Sequence, residues 1–225
     1  MKNTGLRVYT KVNRAPAELV RAFEGIPVAN IGDNMNRRAC LNARIRPLND
    51  SPLLGMAITL KTNPGDNLML YTAIELAEPG DVIMVDAQGD LSSAIVGGLM
   101  LNWAQTKGLA GVVIDGAVRD VAAIRIMKMP VYAAGVTPNG PFKNGPGEVN
   151  APISCGGVVI KPGDIIAGDA DGIVVIDPAD AKDILAKSRA TMDKEVGIMA
   201  AIEKNAWDVS WTEKALKDKG CEFVD

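Results

Sequence analysis

The spacing of apolar and polar positions along the chain predicts alternating strands and helices. Short apolar runs bounded by turn residues predict strands over residues 53–62, 111–115, 130–136, 150–154, 157–160, 164–168 and 172–176. Apolar residues at helical spacing predict helices over residues 66–77, 92–108, 120–127 and 178–204. Helices interleaved with strands at these intervals are typical of an α/β protein, in which helices cover a sheet.

The N-terminal part of the chain is less regular. Residues 16–25, PAELVRAFEG, are expected to form a short helix. We expect a strand over residues 27–31 and a second helix that opens near Asp33, with that aspartate as its N-cap.

Two segments of the chain resemble each other. Residues 78–89 (EPGDVIMVDAQG) and 161–172 (KPGDIIAGDADG) share a Pro-Gly-Asp turn, an apolar strand and an Asp-Ala-x-Gly exit. Two copies are too few for a solenoid, so we expect two similar strands in a β-rich core. Their aspartates are interpreted as carboxylates that accept hydrogen bonds within turns: Asp81, Asp86, Asp164, Asp169 and Asp171.

Two segments lie outside this regular pattern. Residues 135–148 hold four glycines and three prolines, and so long a loop inside a compact domain is more often functional than not. The tail after residue 204 reads as a polar helix with Trp207 and Trp211, which it could not bury alone. We therefore expect the tail to pack on its own domain or on a neighbouring subunit.

The composition is that of a globular protein with an ordinary core. The chain has 225 residues, of which 48% are hydrophobic and 23% charged. A net charge of -3 and an aromatic share of 4% argue against nucleic-acid binding. The N-terminus lacks the apolar region of a signal peptide, and no apolar run approaches the ~20 residues that span a bilayer. We expect a cytoplasmic protein with no membrane partner.

The residues that are scarce exclude several chemistries. The chain contains no histidine, which excludes Ser-His-Asp and Cys-His sites and histidine-containing zinc sites. Cys40, Cys155 and Cys221 are odd in number and widely spaced, and are interpreted as reduced packing residues. Carboxylate, Lys, Tyr and metal-water chemistry on oxygen ligands remain.

The candidate chemistry centres on Arg119 and Asp120, which follow the strand and turn GVVIDGAV. In one interpretation Asp120 caps the next helix and Arg119 forms a surface ion pair, worth ~0–1 kcal/mol. In the other, Arg119 and the main-chain N–H groups of residues 96–100 (VGGLM) hold a carboxylate from two sides. Asp120 would then be free to bind a hard divalent cation.

Several motifs together resemble one family. GLAGVVIDGAVRD, PVYAAGVTPNGP and GDADGIVVID are similar to segments of the RraA-like proteins, over residues 25–200. That family includes 4-hydroxy-4-methyl-2-oxoglutarate / 4-carboxy-4-hydroxy-2-oxoadipate aldolases and regulators of ribonuclease E activity. The resemblance implies a swivelling β/β/α sandwich, assembled as homotrimers or homohexamers with sites between subunits. It divides the chain into an RraA-like α/β domain, 1–204, and a C-terminal helical tail, 205–225.

The resemblance also implies roles for individual residues. Arg119 would bind the carboxylate of a 2-oxo acid, together with the backbone of Gly97, Gly98, Leu99 and Met100. A metal-dependent aldolase that forms no imine is implied, with oxaloacetate decarboxylation as an accompanying activity. The metal ligands it implies are Asp120, for Mg²⁺ or Mn²⁺, and Glu195 from the neighbouring subunit.

One position departs from the family's pattern. The aldolases carry an aspartate, which holds water, at the position of Gly98. Asn102, one helical turn later, is neutral and orients water less well. Two alternatives to the aldolase therefore stay open: a non-catalytic regulator that binds ribonuclease E, and an enzyme that acts on a different 2-oxo acid.

Overall fold

The structure, a computed structural model, describes residues 3–224. Its strands are β1 Leu6–Val8, β2 Arg46–Pro47, β3 Leu53–Thr62, β4 Asp81–Asp86, β5 Ala94–Val96, β6 Gly111–Val118, β7 Val131–Val136, β8 Gly147–Val149, β9 Ile153–Cys155, β10 Val158–Ile160, β11 Ile165–Gly168 and β12 Ile173–Ile176. Its helices are α1 Ala17–Arg21, α2 Val28–Asp33, α3 Leu68–Leu76, α4 Gly98–Thr106, α5 Val121–Ile124, α6 Ala181–Glu203 and α7 Trp211–Asp218. The α/β class expected from the sequence is confirmed.

A ten-stranded mixed sheet organises the chain. Its main path runs β1-β8-β3-β4-β6-β7-β2, and β3, β4, β6 and β7 are parallel neighbours in that path. Strand β4 pairs with the first part of β6, and β5 pairs in parallel with its last residues, Ala117 and Val118. The carboxyl ends of β5, β6 and β7 therefore meet at one edge of the sheet.

The central strands are buried on both faces. In β4, Ile83 and Val85 join a core cluster that includes residues of α3 and α4. Val82 and Met84 of the same strand point the other way, into a cluster that includes Ile153 of β9. Because successive side chains of a strand alternate between faces, a strand covered on both sides reads as one continuous apolar run.

The structure of the two similar segments confirms the sequence interpretation for four of the five aspartates, all except Asp171. Strands β4 and β11 both pair with β3, the first in parallel and the second antiparallel. The turn before each strand is closed by its aspartate: Asp81 accepts a hydrogen bond from the N–H of Glu78 at 2.8 Å, and Asp164 from that of Lys161 at 2.7 Å. In the exits, Asp86 and Asp169 each accept from the N–H two residues later.

The expected strand over residues 27–31 is wrong, because this segment forms α2. Pro27 lies just before the helix with a φ of -56°, and Val28 donates its N–H to Oδ2 of Asp169 at 3.0 Å. A distant carboxylate therefore caps the helix, and Asp33, expected to open a helix, lies at its end.

Two expected helices also differ from the sequence prediction. The expected helix over 92–108 is β5 followed by α4, and the expected helix over 120–127 shortens to α5. Strands β1, β2 and β8 were not predicted. The long C-terminal helix and the 53–62 strand are confirmed.

The chain divides into two compact units, Met1–Ser188 and Arg189–Asp225. The first contains the sheet, and the second holds the end of α6 and all of α7. Trp207 and Trp211 are both exposed, at 51% and 65%. Within residues 3–224, no helix combines the length and the apolar character needed to cross a membrane.

Candidate functional site

The parallel ends of β5 and β6 bring the two parts of the candidate site together. Val96, the last residue of β5, lies opposite Val118, the last residue of β6. The N–H of Arg119 continues this pairing and donates to the carbonyl of Val96 at 3.0 Å. Gly97 follows β5 directly, so Arg119 lies beside Gly97 although the two are distant in sequence.

Asp120 bonds to the first residue of α4. The Gly98 main-chain N–H donates to Oδ2 of Asp120 at 2.8 Å. Asp120 has a left-handed backbone, with φ 64° and ψ 39°, and its side chain makes no capping bond to α5. Asp120 therefore caps α4, and the sequence interpretation in which it caps the following helix is wrong.

The Arg119 side chain lies against this carboxylate without a close hydrogen bond to it. Its Nε is 3.9 Å from Oδ2 of Asp120, and the two side chains are 42% and 50% exposed. Among the described residues, Nε is buried and has no hydrogen-bond partner. A buried donor without an acceptor is costly, and an anion that reached Nε would supply the missing acceptor.

Residue 97 must be glycine because there is no space for a side chain, and not because of its backbone conformation. Its φ of -141° suits any residue. A Cβ at this position would clash with Oδ2 of Asp120 and would lie 2.9 Å from Cγ of Arg119. The absence of a side chain at Gly97 lets both functional groups approach the start of α4.

The first turn of α4 presents free main-chain donors. Within residues 3–224, the N–H groups of Leu99 and Met100 have no hydrogen-bond acceptor, whereas that of Leu101 donates to the carbonyl of Gly97. The N-terminus of a helix attracts anions through such groups. These donors and the Arg119 guanidinium belong to the same end of the sheet.

Gly98, unlike Gly97, has room for a side chain. A Cβ there would meet only ordinary contacts, at 3.6 Å from Oδ2 of Asp120 and 3.7 Å from Cβ of Ala123. Asn102 donates from Nδ2 to the carbonyl of Gly98 at 2.9 Å, so its amide is engaged with the helix. Neither Gly98 nor Asn102 therefore supplies a carboxylate here.

Asp120 does not belong to a larger cluster of acidic side chains in the described part of the chain. No group of three or more Cys, Asp or Glu side chains able to hold a metal ion occurs in the part of the chain that is described. Glu195 lies on α6 in the second compact unit. Mg²⁺ is commonly held by one or two carboxylates with water and substrate, and the half-exposed Asp120 fits the role of such a ligand.

Sequence reasoning missed Gly140, which contacts the site from the loop between β7 and β8. A Cβ on Gly140 would lie 2.9 Å from Nη1 of Arg119. The density of glycine and proline over residues 135–148 was the available signal, but it did not indicate which residue contacts the arginine.

A cleft elsewhere on the first unit is separate from this site. It has a volume of about 970 Å³, and its walls include Phe23, Pro27, Leu109, Met129 and Asp169. Neither Arg119 nor Asp120 lines it. The cleft and the candidate site are therefore different features of the first unit.

Comparison with known proteins gives consistent matches. Residues 28–175 match the family model of the RraA-like proteins, described as Aldolase/RraA. A protein of Halalkalibacterium halodurans named "Putative 4-hydroxy-4-methyl-2-oxoglutarate aldolase" is 39% identical over 205 residues, which cover 86% of this chain and 98% of that protein.

Solved structures agree in fold. RraAS2 of Streptomyces coelicolor, described as an unusual member of the RNase ES inhibitor RraA protein family, superposes with a TM-score of 0.74 at 28% identity, covering 83% of this chain and 100% of that one. The RNA-processing inhibitor RraA of Thermus thermophilis gives 0.61 at 30% identity, covering 67% and 92%. With more than half of its length matched by the family model, this chain belongs to the RraA-like family.

Proposed function

We propose that this protein is a divalent-metal-dependent lyase that cleaves 4-hydroxy-2-oxo acids of the 4-hydroxy-4-methyl-2-oxoglutarate type and releases pyruvate. Decarboxylation of oxaloacetate would accompany this cleavage. The observation that carries the proposal is the unpartnered Nε of Arg119 beside the free N–H groups of Leu99 and Met100. The name of the Halalkalibacterium relative supports the same activity.

Arg119 is the proposed carboxylate-binding residue. Its planar guanidinium matches the geometry of a carboxylate and can donate to both carboxylate oxygens. The N–H groups of Leu99 and Met100 would receive the same anion, since they lie just beyond Gly97, which Arg119 contacts. Binding from two sides would fix the orientation of the 2-oxo acid.

Asp120 is the proposed metal-binding residue, for Mg²⁺ or Mn²⁺. Its Oδ2 is bonded to the Gly98 N–H, whereas Oδ1 has no hydrogen-bond partner among the described residues. A bound divalent cation would act as a Lewis acid on the 2-oxo group. Glu195 of a neighbouring copy is the second proposed ligand.

In the cleavage, the C3–C4 bond breaks, its electron pair stays on C3 as the pyruvate enolate, and the 4-hydroxyl proton leaves. Gly98 provides no side chain to accept or steer that proton. Oxaloacetate loses CO₂ to reach the same enolate without giving up a proton. We therefore expect decarboxylation to be the faster of the two reactions.

Exposed apolar side chains near the site support the proposed homotrimer or homohexamer. Leu99 is 89% exposed at the start of α4, and Phe142 is 60% exposed in the loop after β7. Large exposed apolar side chains close to a polar site commonly mark interaction surfaces. The assembly would place the site at a boundary between cytoplasmic subunits.

The proposal is tested by measuring pyruvate release from a panel of 4-hydroxy-2-oxo acids and from oxaloacetate, with and without Mg²⁺. The Arg119→Ala variant is expected to lose about 10- to 100-fold in kcat/KM, the range of a lost charge-assisted hydrogen bond. Unchanged kinetics in this variant would remove the proposed carboxylate role.

Regulation of a ribonuclease is the second candidate function, supported by the similarity in fold to the RNA-processing inhibitor RraA. Surface inhibition needs neither Arg119 nor Asp120. A pull-down with ribonuclease E, compared between the wild type and the Arg119→Ala variant, separates the two functions. A third option, an enzyme for a different 2-oxo acid, is favoured by the space at Gly98 and is tested by the same substrate panel.

A further inference from the structure

Gly97 and Gly140 both lie close to the Arg119 side chain, near different parts of it. A Cβ on Gly140 would be 2.9 Å from Nη1 and 3.9 Å from Cζ, at the far end of the guanidinium. A Cβ on Gly97 would be 2.9 Å from Cγ and 3.0 Å from Nε, nearer the main chain. Gly140 does not have a left-handed backbone, so close approach rather than conformation accounts for glycine there.

The segment before Gly140 is fixed to the strand that leads into the site. Asn139 donates from Nδ2 to the carbonyl of Ser92 at 2.8 Å. Its own carbonyl accepts a hydrogen bond from the N–H of Ala94 at 3.0 Å. Ala94 is the first residue of β5, so this side of the loop is tied to the strand that ends beside Gly97.

The segment after Gly140 is fixed as well. Phe142 donates its N–H to the carbonyl of Gly65 at 2.8 Å. The buried carboxylate of Asp66 accepts hydrogen bonds at Oδ2 from the N–H groups of Asn144, at 2.6 Å, and Gly145, at 3.0 Å. Because hydrogen bonds hold the loop on both sides of Gly140, its backbone is less free to move than the flexible end of the Arg119 side chain.

We infer that Gly140 is a positioning residue that sets where the Arg119 guanidinium lies. This inference rests on the carboxylate-binding role proposed for Arg119. A methyl group at residue 140 would be too close to Nη1. The contact atom is the end of a flexible side chain and the loop is anchored, so the guanidinium moves and the fold is retained. Substrate binding therefore changes while stability does not.

The test compares Gly140→Ala with Lys143→Ala, a change in the same loop. Lys143 is exposed, and its ammonium lies 6.0 Å from the centre of the Tyr71 ring, so its loss leaves the Arg119 contact intact. We expect Gly140→Ala to raise the KM for oxaloacetate and the Kd for pyruvate about 3- to 10-fold, since small misplacements of a binding group are costly. The kcat should change less, the melting temperature should match the wild type, and Lys143→Ala should match it throughout.

The double variant Arg119→Ala/Gly140→Ala identifies the route of the effect. If Gly140 acts through Arg119, adding Gly140→Ala to Arg119→Ala leaves KM and Kd unchanged. An equal further rise in KM would overturn the inference, as would wild-type kinetics in Gly140→Ala when Arg119→Ala is impaired. Wild-type kinetics in Arg119→Ala would instead overturn the proposed function itself.

Discussion

The main-chain N–H of Gly98 donates to Oδ2 of Asp120 at 2.8 Å across 22 positions of sequence. The carboxylate proposed to bind metal is therefore also the cap of the helix proposed to bind substrate. Asp120 thus has a structural role, as the cap of α4, and a proposed chemical role, as a metal ligand. Variants of Asp120 and its neighbours can separate these two roles.

Asparagine at position 120 should keep the fold and remove the chemistry. Its side-chain oxygen still accepts the Gly98 N–H, and asparagine tolerates a left-handed backbone. We expect Asp120→Asn to unfold at nearly the wild-type urea concentration and to lose Mg²⁺-dependent pyruvate release. Asp120→Ala should also lose the cap, which costs about 0.5–2 kcal/mol in free energy of unfolding. An Asp120→Asn protein that is fully active in EDTA would contradict the metal-binding role.

The alanine variants of the adjacent residues Gly97 and Gly98 can be compared as a matched pair. Gly97→Ala forces a methyl group against Asp120 and Arg119, whereas the same group at Gly98 meets ordinary contacts. Gly97→Ala should lower the free energy of unfolding by about 1–3 kcal/mol and weaken pyruvate binding. Gly98→Ala should retain both properties, as measured by urea denaturation and calorimetric titration. Equal stability in the two variants would show that the space at Gly97 is not needed.

A carboxylate at residue 98 should restore proton transfer to the aldol cleavage. A Cβ at residue 98 meets only ordinary contacts, so Gly98→Asp can place a carboxylate at this position without a clash at Cβ. Because a positioned acid or base contributes about 10²–10⁴-fold, we expect cleavage of 4-hydroxy-4-methyl-2-oxoglutarate to rise at least tenfold over Gly98→Ala. Oxaloacetate decarboxylation should change little, because it releases no proton from a hydroxyl group. A parallel rise in both reactions would contradict the proposed role of this position.

Cysteine reactivity reports on burial. Burial, with the nearby Asp115 and Asp86 charges, raises the pKa of the Cys155 thiol, and partial burial followed by the Asp33 charge raises the pKa of the Cys40 thiol. A raised pKa leaves less thiolate at pH 8, so alkylation of that cysteine is slow at this pH. The rate increases at higher pH, because more of the thiol is ionised. We expect iodoacetamide to label Cys221 first, then Cys40, and Cys155 only after unfolding, as followed by peptide mass spectrometry. Rapid labelling of Cys155 in the folded protein would contradict its place in the core.

The regular parts of the fold were predictable because their signals are local. The apolar run of 53–62 and the repeated Pro-Gly-Asp turns are complete within a few residues, and the structure confirms both. The strand prediction for residues 27–31 was wrong because the acceptor that caps α2, Asp169, comes from a distant part of the chain. Gly140 was missed for the same reason, since its contact with Arg119 depends on a loop anchored at Asp66 and Ser92.

The sequence by itself determined that buried strands alternate with helices and that an arginine and an aspartate follow one of those strands. Periodicity and turn chemistry express these features residue by residue. Only the tertiary structure decided that Asp120 caps α4 instead of α5, and that Arg119 lies close to both Gly97 and Gly140. A hydrogen-bond partner and a close contact depend on which distant segments the sheet brings together, and no local pattern contains that information.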